Sequence, residues 1–554
     1  MATSHIDTFA RDHLPPAQWQ PDFLFDRPEL RFPEQLNCAT ELLDRWVDSG
    51  QGERLCIQGH GVRWSYADLQ RVANRIANVL VQDLGLVPGN RVLLRGANSP
   101  QLAACWFAVV KAGGIAVGSM PLLRAKELAQ IVQKAEVSHA LCDARLADEL
   151  LLARPGCPTL RHVLHFNSAD AGELDARAAR KTAAFRNVAT ASDDTCIIAF
   201  TSGTTGQPKG TMHFHRDVMA ACACWPVHVL RPKPDDVFIG SPPLAFTFGL
   251  GGMLLFPMSV GASSVLLERA TPDALPAAIA QYRATICVTA PTSYRAMAPH
   301  LKAHDIGSLR KCVSAGEALP AATRKLWKIA SGIEIIDGIG STELLHIFIS
   351  HDEGHAKPGA TGTAVPGYVA CVLDDAGQPV AAGTVGRLAV KGPTGCRYLT
   401  SPGDERQRDY VQNGWNLTGD AYLIDADGYF VYQARTDDMI ISGGYNIAGP
   451  EVESALLLHE AVAECGVIGV ADEERGQIVK AFVVLRAGQA ASAALARELQ
   501  DFVKQAIAPY KYPRAIEFRD ALPRTETGKL QRFRLREPGA SPAAPPAAPH
   551  QATP

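Results

Sequence analysis

The sequence predicts an α/β fold: a large N-terminal domain of helix-covered sheets, a β-rich continuation, and a compact α+β unit at the C-terminal end. Three observations carry that expectation. Helix-period and strand-like segments alternate over about residues 65–145 and again over 270–340, glycine-rich β-like runs and turns dominate after about 360, and two strand-like and two helix-like segments fill about 437–535. At 554 residues the chain is too long for one ordinary core, so two or more domains are expected.

Residues 1 to about 50 are rich in proline and aromatics. Ser65-Tyr66-Ala67-Asp68 then has the form of a capping box, with Leu69, Val72, Ile76 and Val79 at helical spacing behind it. Val87-Pro88-Gly89-Asn90 is a turn into the strand-like Arg91-Val92-Leu93-Leu94. A helix is expected over about 101–111, ended by Gly113-Gly114, and Ile115-Ala116-Val117 opens the next strand. Residues 237–267 carry no charge, but Pro242, Pro243, Pro257 and several glycines divide them into short buried elements rather than a membrane-spanning helix. In the C-terminal unit, 464–470 and 479–485 are strand-like, and helices are expected near 451–458 and 492–507. Arg536 to Pro554 is Pro/Ala-rich and reads as a disordered tail.

Composition excludes some functions. A net charge of −3 argues against a broad nucleic-acid surface. The thirteen cysteines are scattered without a C-x-x-C pair or a zinc spacing, which suggests reduced thiols in a cytoplasmic protein. The first residues, Met-Ala-Thr-Ser-His-Ile-Asp, have neither a basic start nor an apolar core, so no signal peptide is expected.

The chemistry centres on Ala199 to Gly210, Ala-Phe-Thr-Ser-Gly-Thr-Thr-Gly-Gln-Pro-Lys-Gly, which follows the buried strand-like run Cys196–Phe200. Gly203 and Gly206 let successive N–H groups turn toward an anion, Thr201, Ser202, Thr204 and Thr205 add hydroxyl donors, and Lys209 adds charge. A Walker loop needs Lys-Ser or Lys-Thr directly after its last glycine; Gln207-Pro208-Lys209-Gly210 stands here instead. Downstream, Asp337-Gly338-Ile339-Gly340-Ser341-Thr342-Glu343 offers close backbone approach and a hard carboxylate ligand. Ser314-Ala315-Gly316-Glu317 precedes it. Asn416-Leu417-Thr418-Gly419-Asp420 and Arg435-Thr436-Asp437 supply a carboxylate and a guanidinium suited to ribose and phosphate oxygens, and Pro523-Arg524-Thr525-Glu526-Thr527-Gly528-Lys529 presents a lysine in a polar loop.

Taken in order from about residue 50 to 535, these motifs resemble those of the adenylate-forming superfamily of acyl- and aryl-CoA ligases, luciferases and peptide-synthetase adenylation domains. The resemblance implies a β-barrel-like subdomain within an N-terminal domain of residues 1–436, a mobile C-terminal domain of 437–535, and a hinge at Asp437. It implies ATP, Mg2+ and coenzyme A as reactants. By motif, Thr201, Ser202, Gly203, Thr204, Thr205 and Lys209 would hold phosphates, and Glu343 would hold the metal. Gly316, Glu317, Asp337, Gly338, Ile339 and Thr342 would surround the nucleotide, and Asp420 and Arg435 would bind its ribose. Lys529 would bridge carboxylate and α-phosphate in the transition state. Gly443 and Gly444 would leave room for the pantetheine arm. Ile339 stands where the family usually has an aromatic residue, so any stacking on adenine there is aliphatic.

The acid pocket is expected around Phe246, Ala315 and Gly340. Phe246 stands in Phe-x-x-Gly where the family often has His-x-x-Gly, which fits a flat apolar acid. Phe248 fits plain core equally well. The strings Phe248-Gly-Leu-Gly-Gly252 and Asp337-Gly-Ile-Gly-Ser-Thr-Glu-Leu-Leu-His346 resemble the benzoate-CoA ligase branch. Thr211-Met-His-Phe-His-Arg-Asp217 and Asp7-Thr-Phe-Ala-Arg-Asp12 resemble 2-aminobenzoate-CoA ligases more than plain benzoate ligases. The activity the resemblance implies is formation of an aryl-CoA from an aromatic acid, 2-aminobenzoate foremost, through an aryl-adenylate. The alternatives are a benzoate ligase and an enzyme loading a separate carrier protein. A nucleotide sensor without chemistry is disfavoured by the presence of both Glu343 and Lys529. The expected partners are small molecules, with neither nucleic acid nor membrane; the oligomeric state is left open, a homodimer included.

Overall fold

A computed structural model describes residues 3–59, 61–201, 208–400, 405–442, 445–472, 475–507, 509–524 and 530–536. The chain forms two compact units, the second made of 320–322, 419–423 and the described residues from Tyr432 onward.

The first unit is built on two large mainly parallel sheets. In a six-stranded sheet, His162–Phe166, His139–Asp143, Arg91–Arg95, Ile115–Ser119 and Thr195–Thr201 run parallel, and Lys209–Phe214 pairs antiparallel with the last. A nine-stranded sheet has Val237–Gly240, Ile286–Thr289, Lys311–Ser314 and Ile335–Gly340 as parallel neighbours, then Ile347–Ser350 and Thr363–Ala364 antiparallel at one edge. A smaller antiparallel sheet is built from strands between Val369 and Arg435. Parallel strands need helical crossovers that cover both faces, hence the alternation seen in the sequence.

Local chemistry explains the element starts. Ser65 accepts from the Asp68 N–H while Asp68 accepts from the Ser65 N–H, and the helix Tyr66–Asn78 follows. Ser99 caps the helix Pro100–Lys111, whose Lys111 is buried against Asp44. The first residues are pinned: Ser4 Oγ donates to Asp194 at 2.7 Å, and Asp7 accepts from Asn90 at 2.8 Å and pairs with Arg91. The uncharged stretch 237–267 is broken into two short strands and short helical segments between Thr247 and Ser259, most of it buried. No described helix is long and apolar enough to cross a membrane.

One core knits the nine-stranded sheet to its helices. Trp327 and Tyr294 meet edge to face at 4.6 Å, and the Tyr294 hydroxyl lies 2.8 and 3.0 Å from the carbonyls of Cys287 and Val313 on adjacent strands. The second unit has its own core, where Val452, Leu456, Val467, Val483, Leu499 and Val503 pack behind the antiparallel strands Val462–Asp472 and Gly476–Leu485.

Candidate active site

The segment expected to cradle phosphates joins two antiparallel strands. Thr201 is paired in register with Lys209, so both ends of the segment are fixed by the Thr195–Thr201 and Lys209–Phe214 ladder. A strand leading into a loop was legible in the sequence; the hairpin was not. Ser202, Gly203, Thr204 and Thr205 lie outside the described residues, as do Gly443, Gly444 and Lys529.

Against Lys209–Phe214 runs a short backbone ladder from residues 397–399. Met212 N–H donates to Arg397 O at 2.8 Å, and Leu399 N–H to Gly210 O at 2.7 Å. This sets Tyr398 between Lys209 and Glu343. Lys209 Nζ lies 5.5 Å from the centre of the Tyr398 ring, and the Tyr398 hydroxyl donates to Glu343 Oε1 at 2.5 Å. Burial, with the Glu343 charge beside it, pushes the Tyr398 phenol well above its usual range, so it stays a donor.

Glu343 follows the strand Ile335–Gly340, buried in its first four residues. Gly338 and Gly340 face the neighbouring strand closely: an added Cβ at Gly340 would lie 2.6 Å from His346 O, and one at Gly338 2.7 Å from the Ile347 side chain. The carbonyl of Thr342 accepts from His213 Nε2 at 2.8 Å. Burial holds His213 near pKa 4, so its ring is neutral and Nε2 carries the donated proton. The side chain of Asp217 lies 3.9 Å from the other ring nitrogen and accepts from the wholly buried Arg397 at 2.7 Å.

Asp337 is buried, and burial raises its carboxyl to about 7 against the opposing pull of Arg324. Gly316 has φ +92°, and Glu317 accepts from Thr292 at 2.7 Å. Within the second unit, Arg435 donates to Asp420 at 3.0 Å, and Gly419, at φ +74°, has no room for a Cβ, which would lie 2.8 Å from the Arg435 guanidinium. The structure thus pairs these two, while Asp437 sits in the short helical turn Thr436–Asp438.

An apolar cavity of about 30 Å³ lies beside Phe246, lined also by Gly118, Ile197, Ala199, Ala245 and Leu250. Neither Ala315 nor Gly340 borders it; Ala315 is buried, and Gly340 is exposed. Phe248 is half-buried and packs on His346 at 5.7 Å, with Phe256 edge-on to the same imidazole at 4.4 Å and Trp225 at 5.7 Å. His346 is 4 % exposed, burial lowers its pKa to about 3, its Nε2 lies 3.4 Å from the Phe248 carbonyl, and its Nδ1 has no partner among the described residues. Tyr398, His213 and His346 stood in the sequence without any signal of these contacts.

A separate group of soft donors, Cys38, Cys196 and His215, is buried with its ligand atoms within 4.8 Å of one another. His215 Nδ1 accepts the Cys38 backbone N–H at 3.1 Å, so the ring nitrogen beside the thiol is already engaged.

Comparison with known proteins identifies the family. Residues 43–398 match the family model of the AMP-binding enzymes, and 451–529 match that of the AMP-binding enzyme C-terminal domain. A benzoate–CoA ligase of Thauera aromatica is 36% identical over 514 residues, covering 92% of this chain and 97% of its own. A 4-hydroxybenzoate–CoA/benzoate–CoA ligase of Rhodopseudomonas palustris is 33% identical over 90% of this chain and 94% of its own. Among solved structures, the anthranilate CoA ligase AuaEII in complex with anthranoyl-AMP superposes with a TM-score of 0.87 at 36% identity, covering 92% of this chain and 98% of that one. A benzoate CoA ligase from Burkholderia xenovorans LB400 gives 0.82 at 33%, covering 90% and 100%. With its two sheets, barrel-like sheet and small C-terminal unit, the chain belongs to the AMP-binding, adenylate-forming enzymes. Within that family it is an ATP-dependent aryl- or acyl-CoA ligase.

Proposed function

We propose that the acid is aromatic, with 2-aminobenzoate the preferred substrate, and that it is converted with ATP and coenzyme A to aryl-CoA, AMP and pyrophosphate. The observation that carries the narrow reading is His346. His346 does not itself line the apolar cavity beside Phe246, but a neutral imidazole walled by Trp225, Phe248 and Phe256, its Nδ1 unpartnered among the described residues, suits an aromatic acid bearing an N–H donor. Phe246 would pack on the ring beside the apolar cavity. The solved anthranilate ligase with its acyl-adenylate supports the same choice. Unsubstituted benzoate is the second reading, since the Thauera aromatica benzoate ligase is equally similar at 36% identity.

In the first half-reaction the acid's carboxylate attacks the α-phosphate. We infer that residues 201–209 hold the β- and γ-phosphates, that Asp420 and Arg435 hold the ribose, and that Lys529 offsets the charge built in the transition state. Glu343 is the residue that would hold Mg2+: it offers hard carboxylate oxygen, half-buried, with one oxygen already oriented by Tyr398. Such an ion, when bound, supplies positive charge beside the phosphate oxygens. We place the domain boundary at 436/437, with Asp437 as hinge and Gly443 and Gly444 beside the thiol arm in the second half-reaction.

The test is ATP–pyrophosphate exchange and CoA-dependent AMP formation with benzoate, 2-aminobenzoate, 4-hydroxybenzoate, a cinnamate and a medium-chain fatty acid. The highest kcat/KM is expected for 2-aminobenzoate, and His346→Phe should lower its preference over benzoate about tenfold, as loss of one buried hydrogen bond would. Equal rates for the two acids in the parent enzyme would return the assignment to benzoate. Exchange without CoA-dependent turnover would move the second half-reaction to a carrier protein.

A further inference from the structure

We propose that Tyr398 is a positioning residue for Glu343, fixing the carboxylate in the orientation that presents its second oxygen to the cation; the proposal rests on the reading of Glu343 as the metal-holding group. The geometry grips the Glu343 segment from both sides. On one side the Tyr398 hydroxyl donates to Glu343 Oε1 at 2.5 Å. On the other, His213 donates to the carbonyl of Thr342, the preceding residue, at 2.8 Å.

The two contacts come from two segments bonded to each other, residues 397–399 and the strand Lys209–Phe214. Arg397, adjacent to Tyr398, is completely buried, pairs with Asp217 at 2.7 Å, and lies 4.1 and 4.0 Å from the ring centres of Phe23 and Phe214. Asp217 in turn faces His213 at 3.9 Å. The backbone of residues 397 and 399 is tied to that of 210–212, the strand that begins at Lys209. Lys209 and Tyr398 are therefore set by one backbone ladder, and Glu343, which follows the strand Ile335–Gly340, is held to it by the Tyr398 hydroxyl. A Tyr398 ring edge-on to Tyr410 at 5.8 Å fixes the direction of the phenol.

A carboxylate that is free to turn loses part of its affinity for a hard cation, and removal of an outer hydrogen-bond partner typically costs about 10–100-fold in metal affinity or activity. Tyr398→Phe removes one oxygen and keeps the ring against Tyr410 and Lys209, so the change isolates the hydrogen bond.

The experiment uses the full-length protein with Mn2+ as probe and α,β-methylene-ATP as the unreactive nucleotide. Free Mn2+ is followed by its electron paramagnetic resonance signal, and thermal unfolding checks that each variant is folded. Tyr398→Phe should weaken Mn2+ binding about tenfold, raise the Mg2+ concentration needed for half-maximal adenylation, and leave KM for the acid unchanged. Glu343→Gln should weaken Mn2+ at least as much, and the double variant should be no weaker than Glu343→Gln alone, because Tyr398 acts through that carboxylate. Mn2+ affinity unchanged in Tyr398→Phe, or losses that add in the double variant, would overturn the positioning role while leaving Glu343 as the metal residue. Unchanged Mn2+ affinity in Glu343→Gln would overturn both.

Discussion

Asp337 shows how a single buried carboxyl couples stability to pH. Its pKa in the folded protein is about 7 against an ordinary value of 3.8. Below about pH 4 folded and unfolded chains both keep the proton. Between pH 4 and 7 the unfolded chain releases it while the folded chain retains it, so stability falls as pH rises through this window, by on the order of 4 kcal/mol, and is constant above it. Asp337→Asn should therefore unfold at a higher temperature than the parent at pH 8 and at a similar one at pH 4. If this side chain accepts the exocyclic amine of adenine, the ionised form is the better acceptor. ATP affinity measured by calorimetry should then rise from pH 6 to 8 in the parent and stay flat in Asp337→Asn.

At the scale of elements, the ladder between 397–399 and 210–212 depends on a charge held in a dry place. Arg397 and Asp217 are both wholly buried, and burial itself lowers the Arg397 pKa, with Asp217 opposing. Removing only one partner leaves an uncompensated charge: Arg397→Met should cost about 3–5 kcal/mol in urea unfolding. Adding Asp217→Asn, which keeps an acceptor for the Phe214 N–H that now bonds it at 2.9 Å, should restore much of the loss. This scale also marks what the sequence could tell. The capping box at Ser65–Asp68, the helix ending before Gly113 and the strand at Thr195–Thr201 were legible because each is specified by residues within one turn or one strand. The contacts that assemble the site were not. Tyr398 and Glu343 are 55 positions apart, and His213 and Thr342 are 129 apart; no local period encodes either pairing. His213 lies in the strand Lys209–Phe214 and His215 opens the helix that follows, so they face different partners.

At the scale of the whole molecule, the two matched family segments, 43–398 and 451–529, leave between them the stretch that holds Asp437, Gly443 and Gly444. Gly444→Leu should leave ATP–pyrophosphate exchange near the parent rate and lower CoA-dependent AMP formation at least tenfold, the loss expected when a close approach is blocked. Equal loss in both assays would remove Gly444 from the thiol's path. The β-rich sheet was legible as a change of texture after residue 360, and the small C-terminal unit as a second set of elements after 437. The allotment of 419–423 to the second unit was not, because those residues belong in sequence to the long strand Trp415–Ile424.

The thirteen cysteines, spread through the chain without pattern, leave the exterior almost without thiol chemistry: twelve are buried and Cys371 is half-buried. Maleimide reagents should thus find few sites on the native protein. Leu152 and Leu458, one in each unit, are 70% and 58% exposed. Leu152→Cys with Leu458→Cys would carry a donor and an acceptor dye on an otherwise silent background. Energy transfer between them would then report, turnover by turnover, the distance separating the two units as ATP, acid and coenzyme A are added in sequence.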